Sequence, residues 1–428
     1  MKKTLKLFAA LFSVSFLFVS AAFAEQVISA SDLPDGFAGT AAILEKINTK
    51  TPVTVSNKKD LLNAVKKGGL IFVDGMIDMS EGMMPKEAGG SSPALDSFVK
   101  SHSNFATYRE YRDAYVAACS NETEDTSKGG SKQSKLYDTM HGMNGAYGSI
   151  IRLILQSNTM IIGLTEESGF FGGSVSVKNV SNVILRNLTI RDAYEPFPHH
   201  EANDGYNAEH DTIVVDGSKN IWIDHCTLAD TVAVSHVMTG GKLDEKWQTY
   251  DGLCDIKSSS DNVTVSYCKL MNHDKTMLIG ASDTENMTPE NRKVTLHHNY
   301  FYNCGQRLPM VRLTTVHTYN NFFEVDKSAP YKSNYALGVR FNALIQSECN
   351  FYGPGTSYSF SGASGNKQGS VYFVGDIDKS VNGKKTGQFK TSTSPLFKIP
   401  YKYEAIPADK VPDFVKANAG AGKASVKK

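Results

Sequence analysis

A segment recurs along the middle of this chain at an irregular period, and that irregularity limits what the chain can become. The segments starting at Asn182, Asn220, Asn262, Lys293, Thr315 and, more weakly, Ala343 align on a leading aliphatic residue: Val183, Ile221, Val263, Val294, Val316 and Leu344. Most copies carry another aliphatic residue two positions on, and each carries an apolar residue seven positions on. The column five positions on holds Leu188, Cys226, Cys268, Asn299, Asn321 and Cys349. The leading residues are spaced 38, 42, 31, 22 and 28 apart.

A minimum of 22 with longer, variable steps suits coils of one height that carry loops of different length. The unit reads as a short strand, a bend and a second short strand. Such units cannot bury their faces alone and must stack. Parallel strands about 4.8 Å apart set like residues above like. Buried asparagines can then bond from coil to coil, and cysteines can share the same inward column. The expected fold is all-β: a right-handed parallel β-helix, a single-stranded solenoid. The alternatives are a β-sandwich and a propeller. A propeller needs a regular period of about 40 or more, which the shortest step contradicts.

The flanks are expected to fit around that core. Asn57 to Lys67 reads as a helix with Asn57 as N-cap, Asp60 three later, and Leu61, Leu62 and Val65 on one side. It would cover the open end of the solenoid, whose edge must be protected. Residues 80–148 are polar and rich in Gly, Ser and Lys, with helical periodicity from Phe105 to Cys119. They read as an excursion from an early coil, because the strand pattern resumes at Ile150. Residues 401–428 are expected along the outside.

The first 24 residues have the form of a secretory signal peptide. Lys2, Lys3 and Lys6 precede an apolar run from Leu7 to Val19, and Ala22-Phe23-Ala24 is a small-x-small cleavage site. No cysteine follows it, so a lipoprotein anchor is not expected. The mature chain is expected from Glu25, with 25–428 as one catalytic β-helix domain. Another run of about 18 apolar residues is absent. The expectation is a soluble, monomeric, secreted protein, extracellular or periplasmic, without a membrane anchor. Loss of the three lysines takes the formal charge from +1 to −2, which argues against nucleic acid as a partner. Six cysteines are too few in so long a chain for a disulfide-built scaffold.

The stretch YDGLCDIK, residues 250–257, poses a geometric question. On a straight strand Asp251 and Asp255 would stand about 13 Å apart, too far to share one cation. The repeat serves as a ruler. Asp211 lies ten before Ile221, and Asp251 and Asp255 lie twelve and eight before Val263. The three acids share a phase in neighbouring coils, and Gly252 can bend the chain to bring the latter two together. Oxygen donors without a His/Cys cluster suit calcium above zinc. Glu209 could add a fourth carboxylate. The following coils place Lys275 twelve after Val263 and Arg307 thirteen after Val294, with Arg312 five further across Pro309. Alone, each of these has an ordinary reading as a turn or a solvated charge. Together they describe a groove for an anionic polymer held through a cation.

Six motifs carry a family resemblance: IWIDH (221–225), DGLCDIK (251–257), HDKTMLIG (273–280), HHNYF (297–301), QRLPMVR (306–312) and VHTYNNFF (316–323). As an ordered set they resemble the pectate lyases of the pectate lyase C superfamily, polysaccharide lyase family 1. The resemblance implies a right-handed parallel β-helix and calcium-dependent β-elimination of polygalacturonate. It matches Asp211, Asp251 and Asp255 to calcium ligands and Glu209 to an acid that helps in some members. It matches Arg307 to the catalytic base, and Lys275 and Arg312 to the residues that hold the substrate carboxylate. Leu308-Pro309-Met310 departs from relatives, which often have a small residue before the proline and a basic one after it. Two activities compete. A pectin lyase, acting on methylated pectin, would lack the full acid set. A non-catalytic β-helical polyuronate-binding protein would release no unsaturated product. The clustered aspartates and signatures of a β-helical polygalacturonase are not found.

Overall fold

The computed structural model describes residues 33–87, 89–119, 135–201, 205–232, 235–237, 245–329, 331–357, 361–362, 368–380 and 389–424. The expected signal peptide and its cleavage site lie outside the described residues. Three long sheets of 11, 9 and 8 strands account for most of the strands, and their neighbours pair in parallel. Each coil gives one strand to each sheet. One coil supplies Ile213–Asp216, Lys219–Asp224 and Thr227–Ala229, and the next supplies Cys254–Lys257, Asp261–Ser266 and Lys269–Met271. This is the expected right-handed parallel β-helix.

The repeat register follows from burial. Val183, Ile221, Val263, Val294 and Val316 stack as direct partners down the 11-stranded sheet. The last copy is shifted by one from the sequence expectation: Val316 pairs with Ile345, not with Leu344. The inward column therefore ends on Asn350, not on Cys349. Asn299, Asn321 and Asn350 form a buried ladder, with Asn321 Oδ1 accepting from Asn299 Nδ2 at 2.9 Å and Asn350 Oδ1 from Asn321 Nδ2 at 3.0 Å. Before each inward residue the chain turns through a left-handed position: Asn187, His225, Tyr267, His298, Asn320 and Cys349 all have φ between 48 and 55°. That conformation is costly for most L-residues, and asparagine and histidine tolerate it best. It forms the bend between the two strands of the unit.

The N-terminal cap is as expected. The helix Lys58–Val65 is capped by Asn57, whose side chain accepts from Asp60 N at 3.0 Å. Leu61 and Val65 are buried in the main core and Leu62 packs at its margin.

The 80–148 segment departs from expectation. Its described residues contain not one helix but most of three: Pro93–His102, Tyr108–Cys119 and Lys135–Ile151, the last consuming Ile150, where strand was expected to resume. These helices build a second apolar core. Phe98, Tyr111, Tyr115 and Tyr147 meet Phe197, Tyr206 and Trp247 from the coil loops. Tyr147 donates to Tyr194 O at 2.9 Å and Tyr108 to Pro196 O at 2.8 Å, so the helices brace the segment that leads to Glu209. The C-terminal helix Val411–Asn418 lies outside the solenoid, with Val411 and Val415 on Tyr300 and Phe322. Among the described residues no helix is long and apolar enough to cross a membrane.

Candidate active site

The eight-stranded sheet carries the acids and bases. In Cys254–Lys257 the alternation of a strand sends Cys254 and Ile256 into the core and turns Asp255 and Lys257 to the other face. Asp211 precedes the neighbouring strand Ile213–Asp216. Thr212 N donates to Gly252 O at 2.8 Å, which sets Asp211 beside Gly252. Asp211 Oδ1 accepts from Gly252 N at 2.9 Å, and Asp255 Oδ1 accepts from Leu278 N at 2.9 Å.

The pair that meets at Gly252 is Asp211 and Asp255, not the Asp251 and Asp255 that a bend there was expected to bring together. Gly252 is not among the left-handed glycines. What matters is its missing side chain: a Cβ there would come within 2.6 Å of Asp211 Oδ1 and closer still to Asp255 Oδ1. The two carboxylates converge on the space that a side chain would fill.

Lysines balance this charge. Lys257 Nζ lies 2.6 Å from Asp211 Oδ2 and 3.1 Å from Asp255 Oδ2. Lys275 Nζ lies 3.0 Å from Asp251 Oδ1 and 2.6 Å from Asn207 Oδ1. Burial pushes the Asp211 carboxyl well above its usual range, and repulsion from Asp255 and Asp251 adds to the rise against Lys257. Burial raises Asp255 as well, opposed by Lys257. For Asp251 burial also works upward, but Lys275, Lys257 and Arg307 outweigh it and hold the carboxyl low. Burial opposes the charge on Lys257, yet Asp255 and Asp211 raise its pKa. Two buried carboxylates, Asp211 and Asp255, and the partly exposed Asp251 thus share two ammonium groups. Among the described residues no group of three His, Cys, Asp or Glu side chains is spaced to hold a metal ion. The donor set itself is all oxygen and carries excess negative charge, which fits a hard cation.

The bases follow along the same sheet. Lys275 bridges to Gln306, and Met277 N donates to Arg307 O at 2.9 Å, so Arg307 stands one coil beyond Lys275. Arg307 is left-handed, with φ of 59°, in a turn that leads through Pro309 to the strand Met310–Val311. Arg312 follows, paired to Asp283 at 3.0 Å.

Glu209 is turned elsewhere. Its carboxylate lies 3.2 Å from Asn144 Nδ2 and 3.4 Å from His199 Nδ1, and its backbone N–H donates to the buried Glu195 at 2.7 Å. Sequence reasoning missed Lys257, although the alternation from Asp255 would have found it. It also missed Asn207, which lies on a small four-stranded sheet, and His273. His273 spans from Asp230 at 2.7 Å to the Asp251 carbonyl at 2.7 Å. Asn207 belongs to a strand outside the three stacked sheets and His273 to a loop, and neither position follows the repeat.

The fold and site together define the class: a parallel β-helix that carries acids and bases from successive coils along one wall. The family model described as pectate lyase matches residues 144–424. Pectate lyase E of Dickeya chrysanthemi is 37% identical over 281 residues, 64% of this chain and 73% of that protein. A pectate lyase of Bacillus subtilis (strain 168) is 29% identical over 321 residues, 71% of each. Among solved structures, a thermostable pectate lyase, PL 47, aligns with a TM-score of 0.73 at 30% identity, covering 91% of this chain and 97% of that one. A pectate lyase bound to a hexasaccharide aligns with a TM-score of 0.74 at 26% identity over the same shares. The chain belongs to the pectate lyase family.

Proposed function

We propose that this enzyme cleaves polygalacturonate, the demethylated form of pectin, by calcium-dependent β-elimination, and that it does so as a secreted monomer. The observation that carries this reading is the convergence of Asp211 and Asp255 on Gly252, with Asp251 beside them and Lys275, Arg307 and Arg312 following along the same wall. Asp211, Asp251 and Asp255 would hold calcium, and Glu209 would add a fourth carboxylate only by leaving Asn144 and His199. The chemistry supplied by an ion held there would be positive charge close to the uronate carboxylate, which makes the adjacent C5 proton more acidic.

The residues of the chain do the rest. Lys275 and Arg312 bind the carboxylate of the uronate to be cleaved and oppose the charge that builds on it as C5 loses its proton. Arg307 accepts that proton. The electron pair left on C5 forms the C4–C5 double bond, the bond from C4 to the glycosidic oxygen breaks, and that oxygen takes a proton from water. The products are a new reducing end and an unsaturated uronate. A guanidinium is normally protonated. Its use as a base demands a cationic surround, and Lys275 and Arg312 are placed along the same wall.

The unsaturated product absorbs in the ultraviolet where the substrate does not. Absorbance on polygalacturonate should rise with calcium, stop with excess chelator and resume when calcium is restored. Faster cleavage of highly methylated pectin, indifferent to chelator, would favour a pectin lyase. Binding without any rise in absorbance would favour a non-catalytic role.

A further inference from the structure

Arg312 carries its own counter-ion. Its Nε lies 3.0 Å from Asp283 Oδ1, and its Nη1 donates to Gly280 O at 3.3 Å. The side chains of the pair are 19% and 26% exposed. Asp283 sits on the loop 281–292, and that loop is anchored from below. Arg292 is fully buried, pairs with Glu285 Oε2 at 2.7 Å and donates from Nε to Ser258 O at 2.9 Å. The same guanidinium reaches the Arg312 carbonyl at 3.3 Å, while Glu285 Oε1 accepts from Ser258 N at 3.0 Å. One buried cation thus fixes both the loop that bears Asp283 and the backbone that bears Arg312. Burial works against the charge on Arg312, and Arg340 and Arg307 repel it, while Asp283 favours it.

We propose that Asp283 is a specificity-determining residue: it occupies Arg312 as an internal carboxylate that a substrate uronate must displace and that a methyl-esterified uronate can leave in place. This rests on the reading of Arg312 as a substrate-holding residue. A free uronate exchanges one ion pair for another, so its gain is the difference between two similar terms. An ester makes no such exchange and strands no half-buried guanidinium, because Asp283 stays on it. Asp283 therefore compresses the preference for demethylated sugar at this position. Without it, a uronate would gain the whole pair, and an ester would leave Arg312 uncompensated.

The test compares Asp283→Asn and Asp283→Glu with the parent, at saturating calcium, on polygalacturonate and on pectins of graded esterification. In Asp283→Asn, KM for polygalacturonate should fall about two- to fivefold, the scale of a partly exposed ion pair. KM for esterified pectin should hold or rise, so the preference ratio grows by at least that factor. Asp283→Glu should keep the parent ratio. On an Arg312→Ala background Asp283→Asn should leave the ratio unmoved, as a double-mutant cycle requires. General loosening of the loop would raise KM on both substrates, and that result, or an unchanged ratio, overturns the proposal. Asp283→Ser removes the same charge if the asparagine variant does not fold. Absence of lyase activity in the parent would defeat the functional reading alone. Calorimetric binding of trigalacturonate, expected to tighten by the same factor in Asp283→Asn, still decides the role of Asp283.

Discussion

Lys257 Nζ lies 2.6 Å from Asp211 Oδ2, so an ammonium from one coil is bonded to a carboxylate from the coil before it. The same ammonium is 3.1 Å from Asp255 Oδ2. Lys257 therefore neutralises two of the three acids proposed to hold calcium, and it competes with any cation that they bind. Removing it should have two opposite effects. In chelator, Lys257→Met should melt lower than the parent, because breaking a buried pair costs about 3 kcal/mol or more. Calcium should then raise its melting temperature by more than it raises the parent's, since a tighter ligand stabilises more at equal concentration. Equal calcium shifts in the two proteins would mean that calcium binds elsewhere.

Gly252 gives a second handle on the same place. A methyl group there would meet Asp211 Oδ1 at 2.6 Å and would press on Asp255 Oδ1 as well. Gly252→Ala should splay the carboxylates while leaving the stacked core intact. Calcium should no longer shift the melting temperature, and activity should fall by about 10²-fold or more, the scale of a lost catalytic group. A variant that melts with the parent's calcium shift would show that the convergence is not needed for the ion.

Arg307→Lys separates a positioned proton acceptor from a mere positive charge. We expect near-parental, calcium-dependent binding of oligogalacturonate and a loss of turnover of about 10²-fold or more. Parental turnover in Arg307→Lys would move the base elsewhere, with Lys275 the next residue to test.

The repeat was legible because stacking forces like residues above like, and Val183 through Val316 had to share one column. The final copy slipped because Leu344 and Ile345 are adjacent aliphatics. A one-residue shift in a strand exchanges its faces without changing its composition. The same ruler placed Asp211, Asp251, Asp255, Lys275, Arg307 and Arg312 on one wall, since all of them sit close to strands. The helices of residues 93–151 were harder to read. Ser92-Pro93 is an N-cap signal that was available, with Ser92 Oγ accepting from Leu95 N at 3.1 Å. The helix Lys135–Ile151 hides behind Gly142, Gly145 and Gly148, each unfavourable for helix. Its burial is completed by Phe197, Tyr206 and Trp247, which are remote in sequence. Asp283 was invisible for a related reason: a buried arginine, not a period, fixes its loop.

Acid should weaken the fold partly through His298. Its ring stacks on Tyr267 at 4.7 Å, its Nδ1 is 2.9 Å from His297 Nδ1, and Phe414 covers it. Burial, with His297 and His225 adding repulsion, pushes its pKa down from 6.5 to about 2. Between those values the unfolded chain holds the proton and the folded chain does not. Stability therefore rises with pH across that window and is lost as pH falls below about 6.5. Asparagine suits the φ of 53° and does not titrate. Urea midpoints measured from pH 7 down to pH 4 should fall less steeply in His298→Asn than in the parent. Parallel slopes would assign the acid sensitivity to other groups.

The register shift at the last coil makes a sharp contrast between neighbouring columns. Asn321 is fully buried and uses its side chain completely: Nδ2 donates to Leu296 O at 3.0 Å, Thr318 Oγ1 at 2.9 Å and Asn350 Oδ1 at 3.0 Å. Its Oδ1 accepts from the backbone and the side chain of Asn299, both at 2.9 Å. Asn321→Ala would strand donors and acceptors in two coils at once, each costing about 1–3 kcal/mol when buried and unpaired. The expected loss is about 3 kcal/mol or more. Asn350→Ala removes the next rung and should cost a comparable amount. Cys349 stands one residue earlier, in the outward bend, and is only partly buried. Cys349→Asn keeps a residue that accepts the left-handed backbone, so it should change stability by less than about 0.5 kcal/mol. Urea denaturation of the three variants checks the register directly. If Cys349→Asn were as damaging as Asn350→Ala, the inward column would run through Cys349, and the one-residue shift would be wrong.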